Sequence, residues 1–111
     1  MSEDWSPEEV AATVADYFAM LACELQREPY NKKEHNRRLR LLLRGRSPGA
    51  IEFKHGNIRA VLLELGFPYI DGSKPRANYQ ELLKDEVSAR LEVDSHLQQA
   101  AATIEIGRAH V

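Results

Sequence analysis

One run of the chain restricts its fold more than any other: Arg44-Gly45-Arg46-Ser47-Pro48 through to Gly66. Ser47 is a side chain that caps helix starts, and Pro48 follows at the position where a first helical residue tolerates proline. From there Ile51, His55, Ile58, Leu62 and Leu65 recur at spacings of four and three, which is one helical stripe. Val61 widens the stripe, and Gly66 stands where helices commonly end in a left-handed residue. The spacing predicts a helix over 48–65, although Gly56 inside it costs about 1 kcal/mol relative to alanine. Upstream, 31–43 reads as another helix, joined to the first only by Arg44-Gly45-Arg46-Ser47. Two helices across a short glycine turn form a helix-turn-helix-like pair.

The flanks extend this to an all-α fold, a small bundle of four to five helices. Ser6-Pro7-Glu8-Glu9 is a helix start, with Ser6 as cap and Glu9 completing a capping box. Val10, Val14, Tyr17, Phe18, Leu21 and Leu25 follow at helical spacing to about Arg27, and Pro29 stops the run. Trp5, just before the cap, is expected to pack back on the first turn. Asn31 caps the second helix, whose apolar strip is late (Leu39, Leu42, Leu43) and whose early turns are basic. Phe67–Ile70 reads as an apolar loop tucked onto the core, with Asp71-Gly72 as a turn. Asn78 is expected to cap a fourth helix burying Tyr79, Leu82, Leu83, Val87 and Leu91. The reading divides the chain into a helical domain, 1–91, and a C-terminal extension or linker, 92–111, with a short helix over 95–103.

With 111 residues, one modest core is expected. No run approaches 18 apolar residues, so no membrane span is expected, and the acidic start lacks a signal peptide's pattern. Cys23 is the only cysteine, which excludes an internal disulfide and fits a cytoplasmic chain.

Net charge is −2, yet the charge is segregated. Residues 1–26 carry six acids and no Lys or Arg, residues 27–59 carry ten Lys/Arg against three acids, and residues 60–111 carry five against eight. A basic block on a helix pair is the electrostatic footprint of nucleic-acid binding. A solvated face balanced by the acidic first helix is the competing reading. Catalysis finds little support. The four histidines lack metal-ligand spacing, His55 reads as a partly buried structural histidine hydrogen-bonded locally, and Cys23 as a small core residue. Glu52-Phe53-Lys54 matches the tail of a nuclease signature, but that chemistry sits on a sheet beside a second acid. A stand-alone metal-dependent nuclease using Glu52 and Asp71 is the remote version of that idea. No metal or other cofactor is expected.

The candidate nucleic-acid contacts are therefore Lys32, Lys33, Arg37, Arg38, Arg40, Arg44, Arg46, Ser47, Lys54 and Arg59. In a helix-turn-helix the second helix presents its first residues to base edges, which would employ Arg44, Arg46, Ser47, Lys54 and Arg59. Arg46 and Ser47 at a helix start suit a phosphate. Arg37, Arg38 and Arg40 would grip the backbone. DNA is the expected partner. The alternative is a protein–protein adaptor that docks an acidic partner, anchored by the Phe67–Ile70 loop.

Gly45-Arg46-Ser47-Pro48-Gly49-Ala50-Ile51 resembles the turn and recognition-helix start of Myb-like and sigma-factor-like helix-turn-helix domains. A longer resemblance runs from Trp5 to about Leu91. It is carried by Ile51-Glu-Phe-Lys-His-Gly-Asn-Ile58, by the run from Ala60 to Gly72 and by Lys74-Pro-Arg-Ala-Asn-Tyr-Gln80. These are similar to a helical N-terminal module of bacterial proteins that precedes HNH-type restriction nuclease domains or a NO VEIN C-terminal-like domain. The resemblance implies a restriction or defence context, with a nuclease effector as partner. Arg59 departs from it where a small polar residue is expected, and Ser73 where an aromatic is expected. The nuclease part is absent from these 111 residues, so cleavage does not carry over.

Overall fold

A computed structural model describes residues 5–43, 45–70, 74–94, 97–99 and 102. The fold is all-α: α1 (Pro7–Leu25), α2 (Lys32–Leu42), α3 (Pro48–Glu64) and α4 (Glu81–Val93), followed by a helical segment at 97–99. α1 and α3 each touch all the other helices, whereas α2 and α4 do not touch one another. The bundle is therefore a central pair, α1 and α3, with α2 and α4 as flanks.

The start of α1 follows from its capping chemistry. The Glu9 N–H donates to Ser6 Oγ (3.2 Å) and the Ser6 N–H donates to Glu9 Oε1 (3.0 Å). Its face of Val10, Val14, Tyr17, Phe18, Met20 and Leu21 is buried. Trp5 is buried as well, beneath two cations described below. The helix ends at Leu25, two residues before the expected Arg27, because Arg27 takes a left-handed conformation (φ 58°). α2 begins at Asn31, whose side chain accepts from the Glu34 N–H (3.0 Å). Leu39 and Leu43 enter the core, but Leu42 does not. It stays 70% exposed beside Leu41, at the rim of a groove between α2 and α1 that it lines with His35, Arg38 and Leu39 against Ala12, Ala15 and Asp16.

α3 is the core helix. Ile51, His55, Ile58, Val61 and Leu62 are buried, and so are Lys54, Gly56, Asn57 and Ala60, so protein surrounds most of its girth. Leu65 is half exposed at the helix end, and Gly66 makes the left-handed exit (φ 69°). Gly56 is explained by what crosses it. A Cβ there would lie 2.4 Å from the Lys74 carbonyl oxygen and 2.6 Å from Arg76 Cγ. The extended segment 74–80 is bonded down at this point: the Arg76 N–H donates to the Gly56 carbonyl (3.0 Å), and Asn57 Nδ2 donates to the Arg76 carbonyl (2.6 Å).

That clamp also moves the start of α4. Gln80, not Asn78, is its N-cap residue, because the backbone of 76–78 is committed to α3. Leu83 and Val87 are buried, whereas Tyr79, Leu82 and Leu91 are half-buried. The loop before it packs as expected: Ile70 is buried and its N–H donates to Tyr17 Oη (3.0 Å). Among the described residues no helix is long and apolar enough to cross a membrane.

Candidate nucleic-acid interface

α2 starts at a polar cap and carries its only buried residue, Leu39, near its far end. Nearly all its cations therefore face water. Lys33, Arg37, Arg38 and Arg40 are exposed, and Lys32 is partly so. Between this face and the first turn of α3 lies an open groove of about 510 Å³. Lys32, Lys33, Arg37 and Arg40 line it from α2, with Asn36, and Pro48 and Glu52 close it from α3. Four cations thus share one groove with a single acid. Glu52 holds Lys32 (Nζ to Oε1, 3.3 Å), an exposed pair worth little in water.

Arg37 is oriented by Glu34, which takes both its Nε and Nη2 protons, and Arg38 stands 3.9 Å from the same carboxylate. The Arg37 guanidinium holds the Glu34 carboxyl below its ordinary range, and the Glu34 carboxylate in turn pushes Arg37 upward. Arg37 is therefore charged and pre-aimed, not withdrawn. Asn36 joins the groove without being one of the candidates named from sequence. Its signal is a matter of spacing: residues 32, 36 and 40 are four apart and share one helix face.

The remaining candidates are placed differently. Arg46 forms a two-point pair with Glu9 on α1, Nε to Oε2 at 2.8 Å and Nη2 to Oε1 at 2.9 Å, and its guanidinium lies 4.7 Å from the Trp5 ring centroid. The Arg46 hydrogen bonds hold the Glu9 carboxyl down to about 2. Lys54 is buried, donates to Gln80 Oε1 (3.0 Å) and stands 5.1 Å from the same Trp5 ring. Arg59 stacks on Tyr69 at 4.5 Å. Ser47 spends its hydroxyl on the Ala50 N–H (3.1 Å). Arg44, like Asp71, lies outside the described residues. The first turns of α3 thus offer solvent Ser47, Pro48, Gly49, Glu52 and Phe53, with no cation among them. The structure gathers Lys32, Lys33, Arg37 and Arg40 on one groove, leaves Arg38 beside it, and sets Arg46, Lys54 and Arg59 among internal contacts.

His55 also departs from expectation. It is fully buried, with its ring edge-on to Tyr17 (5.5 Å between centroids), and neither ring nitrogen has a hydrogen-bond partner among the described residues. Burial pushes its pKa down, so the ring is held neutral. The histidine that does pair is His35, whose Nδ1 lies 2.7 Å from Asp16 Oδ1 and ties α2 to α1. Among the described residues no three His, Cys, Asp or Glu side chains converge as metal ligands do.

No protein-family model, curated protein or solved structure matches the chain.

Proposed function

We propose that this chain is a non-catalytic DNA-binding or targeting module that grips the duplex backbone with α2. The observation that carries the reading is the groove in which Lys32, Lys33, Arg37 and Arg40 converge, with Glu52 paired to Lys32 and Glu34 paired to Arg37 as their acid partners among the described residues. Phosphate contacts of this kind supply affinity and orientation but little sequence information. Only Asn36 and Glu52 in the groove carry side chains that pair with base edges other than through a cation, so the expected binding is weakly selective. The groove is lined by no aromatic side chain, which favours a duplex over a single strand stacked on rings. An effector such as a restriction-type nuclease, positioned on DNA by this module, is the cellular role that the sequence resemblance suggests.

The test is binding to a mixed-sequence duplex as a function of salt. Wild type should bind at micromolar protein, with affinity falling steeply as salt rises. Arg37→Gln/Arg40→Gln should weaken binding and flatten the salt slope by about one for each phosphate that is no longer neutralised. Absence of salt-sensitive binding overturns the proposal.

The second reading, an adaptor for an acidic partner, draws on Leu41 and Leu42, which stand exposed beside these cations. An apolar pair next to a basic face suits an acidic helix at least as well as it suits DNA.

A further inference from the structure

Outside the α2 groove, one arginine is held in place without an acid. Arg76 lies on the extended segment 74–80, which carries two cations, Lys74 and Arg76, and no Asp or Glu. The backbone is bonded to α3 on both sides of this residue: the Arg76 N–H donates to the Gly56 carbonyl, and Asn57 Nδ2 donates to the Arg76 carbonyl. The missing Cβ of Gly56 leaves room for the Arg76 stem, whose Cγ would lie 2.6 Å from it. The guanidinium then rests over the Phe53 ring, 5.2 Å from its centroid. Residues 74–78 are all exposed and Phe53 is 44% exposed, so head group and ring both reach water.

Lys74 and Arg76 have no ion-pair partner among the described residues, whereas Lys32, Arg37, Arg38, Arg46, Lys84 and Arg90 all have carboxylate partners. A structural clip on α3 needs the Arg76 stem and the two backbone bonds; the charge has no counterpart in the fold. Two neighbouring residues of α3 fix where this charge stands relative to the groove. Glu52 is paired to Lys32 on α2, and Phe53 lies under Arg76. Successive helical residues point about 100° apart, so the two cationic elements flank one exposed strip of α3 formed by Gly49, Glu52 and Phe53. A strip one helix wide is on the order of 10 Å across, comparable to the roughly 12 Å major groove of B-DNA.

We infer that Lys74 and Arg76 are a second arm of phosphate contacts, so that a bound duplex lies across the exposed first turns of α3, with α2 on one backbone and segment 74–78 on the other. The inference rests on the DNA-binding reading of α2 and adds to it a second set of contacts and an orientation. In that orientation Glu52 and Phe53 face the base edges, where a carboxylate accepts from a cytosine amine and a phenyl ring meets a thymine methyl.

Binding of the full chain to mixed-sequence duplexes as a function of salt separates the two arms. Lys74→Gln/Arg76→Gln keeps a Cβ and Cγ against Gly56 and both backbone bonds, so its melting temperature should stay near wild type. Its affinity should fall about equally for every duplex sequence, and its salt slope should drop by about two. Arg76→Lys, which keeps the charge and gives up the planar stack, should retain most of the slope. Lys84→Gln removes one charge at a site paired to Glu64, about three helical turns from Glu52, and should leave the slope unchanged. If the double variant melts early, Lys74→Gln alone decides, with an expected drop in slope of about one. A wild-type slope in the segment 74–80 variants, while Arg37→Gln/Arg40→Gln loses binding, overturns the second arm and leaves the α2 reading standing. A drop for Lys84→Gln as large as that for Lys74→Gln also overturns it, because net charge alone would then account for the effect. A wild type without salt-sensitive binding overturns both.

Discussion

α2 and α3 are adjacent helices joined by a short turn, both rich in charge, yet they use charge in opposite ways. On α3 and its entry turn, cations are construction material. Arg46 bridges to Glu9, Lys54 reaches Gln80, and both lie against the Trp5 ring. On α2 the cations face solvent over a groove with one acid. The difference follows from position. α3 touches all three other helices, and its cations Lys54 and Arg59 lie on the sides that meet protein before water. α2 is a flank anchored by Leu39, by Leu43 at its end and by the His35–Asp16 pair, and most of its remaining girth is open. A helix-turn-helix reading assigns the reading surface to the second helix. Here the exposed cationic surface lies on the first.

The largest expected effect lies at the crossing on α3. Gly56→Ala removes a poor helix former, and on an open helix it should stabilise by about 1 kcal/mol. Here the new Cβ meets the Lys74 carbonyl at 2.4 Å, so the expected outcome is destabilisation by about 2–3 kcal/mol. Chemical denaturation measures it. A stabilised variant would show that segment 74–80 does not sit on α3. Next comes Arg46→Ala, which leaves a partly buried Glu9 without its two-point partner. It should cost about 2 kcal/mol at neutral pH.

That loss has a pH signature. Glu9 titrates at about 2 in the folded chain against an ordinary 4.5, so its contribution is complete above 4.5 and disappears as pH falls from there toward 2. Arg46→Ala should shrink the pH dependence within that window, leaving only what the Ser6 capping bonds to Glu9 supply. His55 acts higher up. Its pKa is depressed by burial below the ordinary 6.5, so the unfolded chain takes up the proton first. Stability is therefore full above 6.5 and is lost as pH falls below it. His55→Leu should leave the melting temperature near wild type at pH 8, since no hydrogen bond of the ring is broken among the described residues, and should raise it relative to wild type at pH 5. Equal shifts at both pH values would mean that the ring is not held neutral.

The helices themselves are legible in the sequence because their signals are local. Ser6-Pro7-Glu8-Glu9, Asn31 and Ser47-Pro48 each bond as their caps require. Spacing alone puts Ile51, Ile58 and Leu62 in the core, where they lie. What spacing does not show is the path of the chain across α3. Gly56 reads as a defect because its reason, the Lys74 carbonyl and the Arg76 side chain, lies 18 and 20 residues away. The same segment displaces the α4 cap from Asn78 to Gln80. The basic block is visible, but a charge count does not distinguish Lys54, which is buried, from Lys33, which is not. Nor does a charge count find Asn36, a neutral side chain on the same face.

The smallest expected effect is the sharpest test of the contrast. If α2 keeps its cations for a partner and not for the fold, replacing them should hardly change stability. Lys33→Gln and Arg40→Gln remove exposed side chains that have no ion-pair partner among the described residues, so each should alter unfolding free energy by no more than about 0.5 kcal/mol. Arg37→Gln also breaks the Glu34 pair, but both groups are exposed on one helix turn, so its cost stays in the same range. Removing positive charge from a crowded face relieves repulsion, which offsets part of even that loss. The triple variant should therefore unfold at nearly the wild-type denaturant midpoint while losing most of its salt-sensitive duplex binding. A fall in stability as large as that of Arg46→Ala would mean that the two helices use their charge alike.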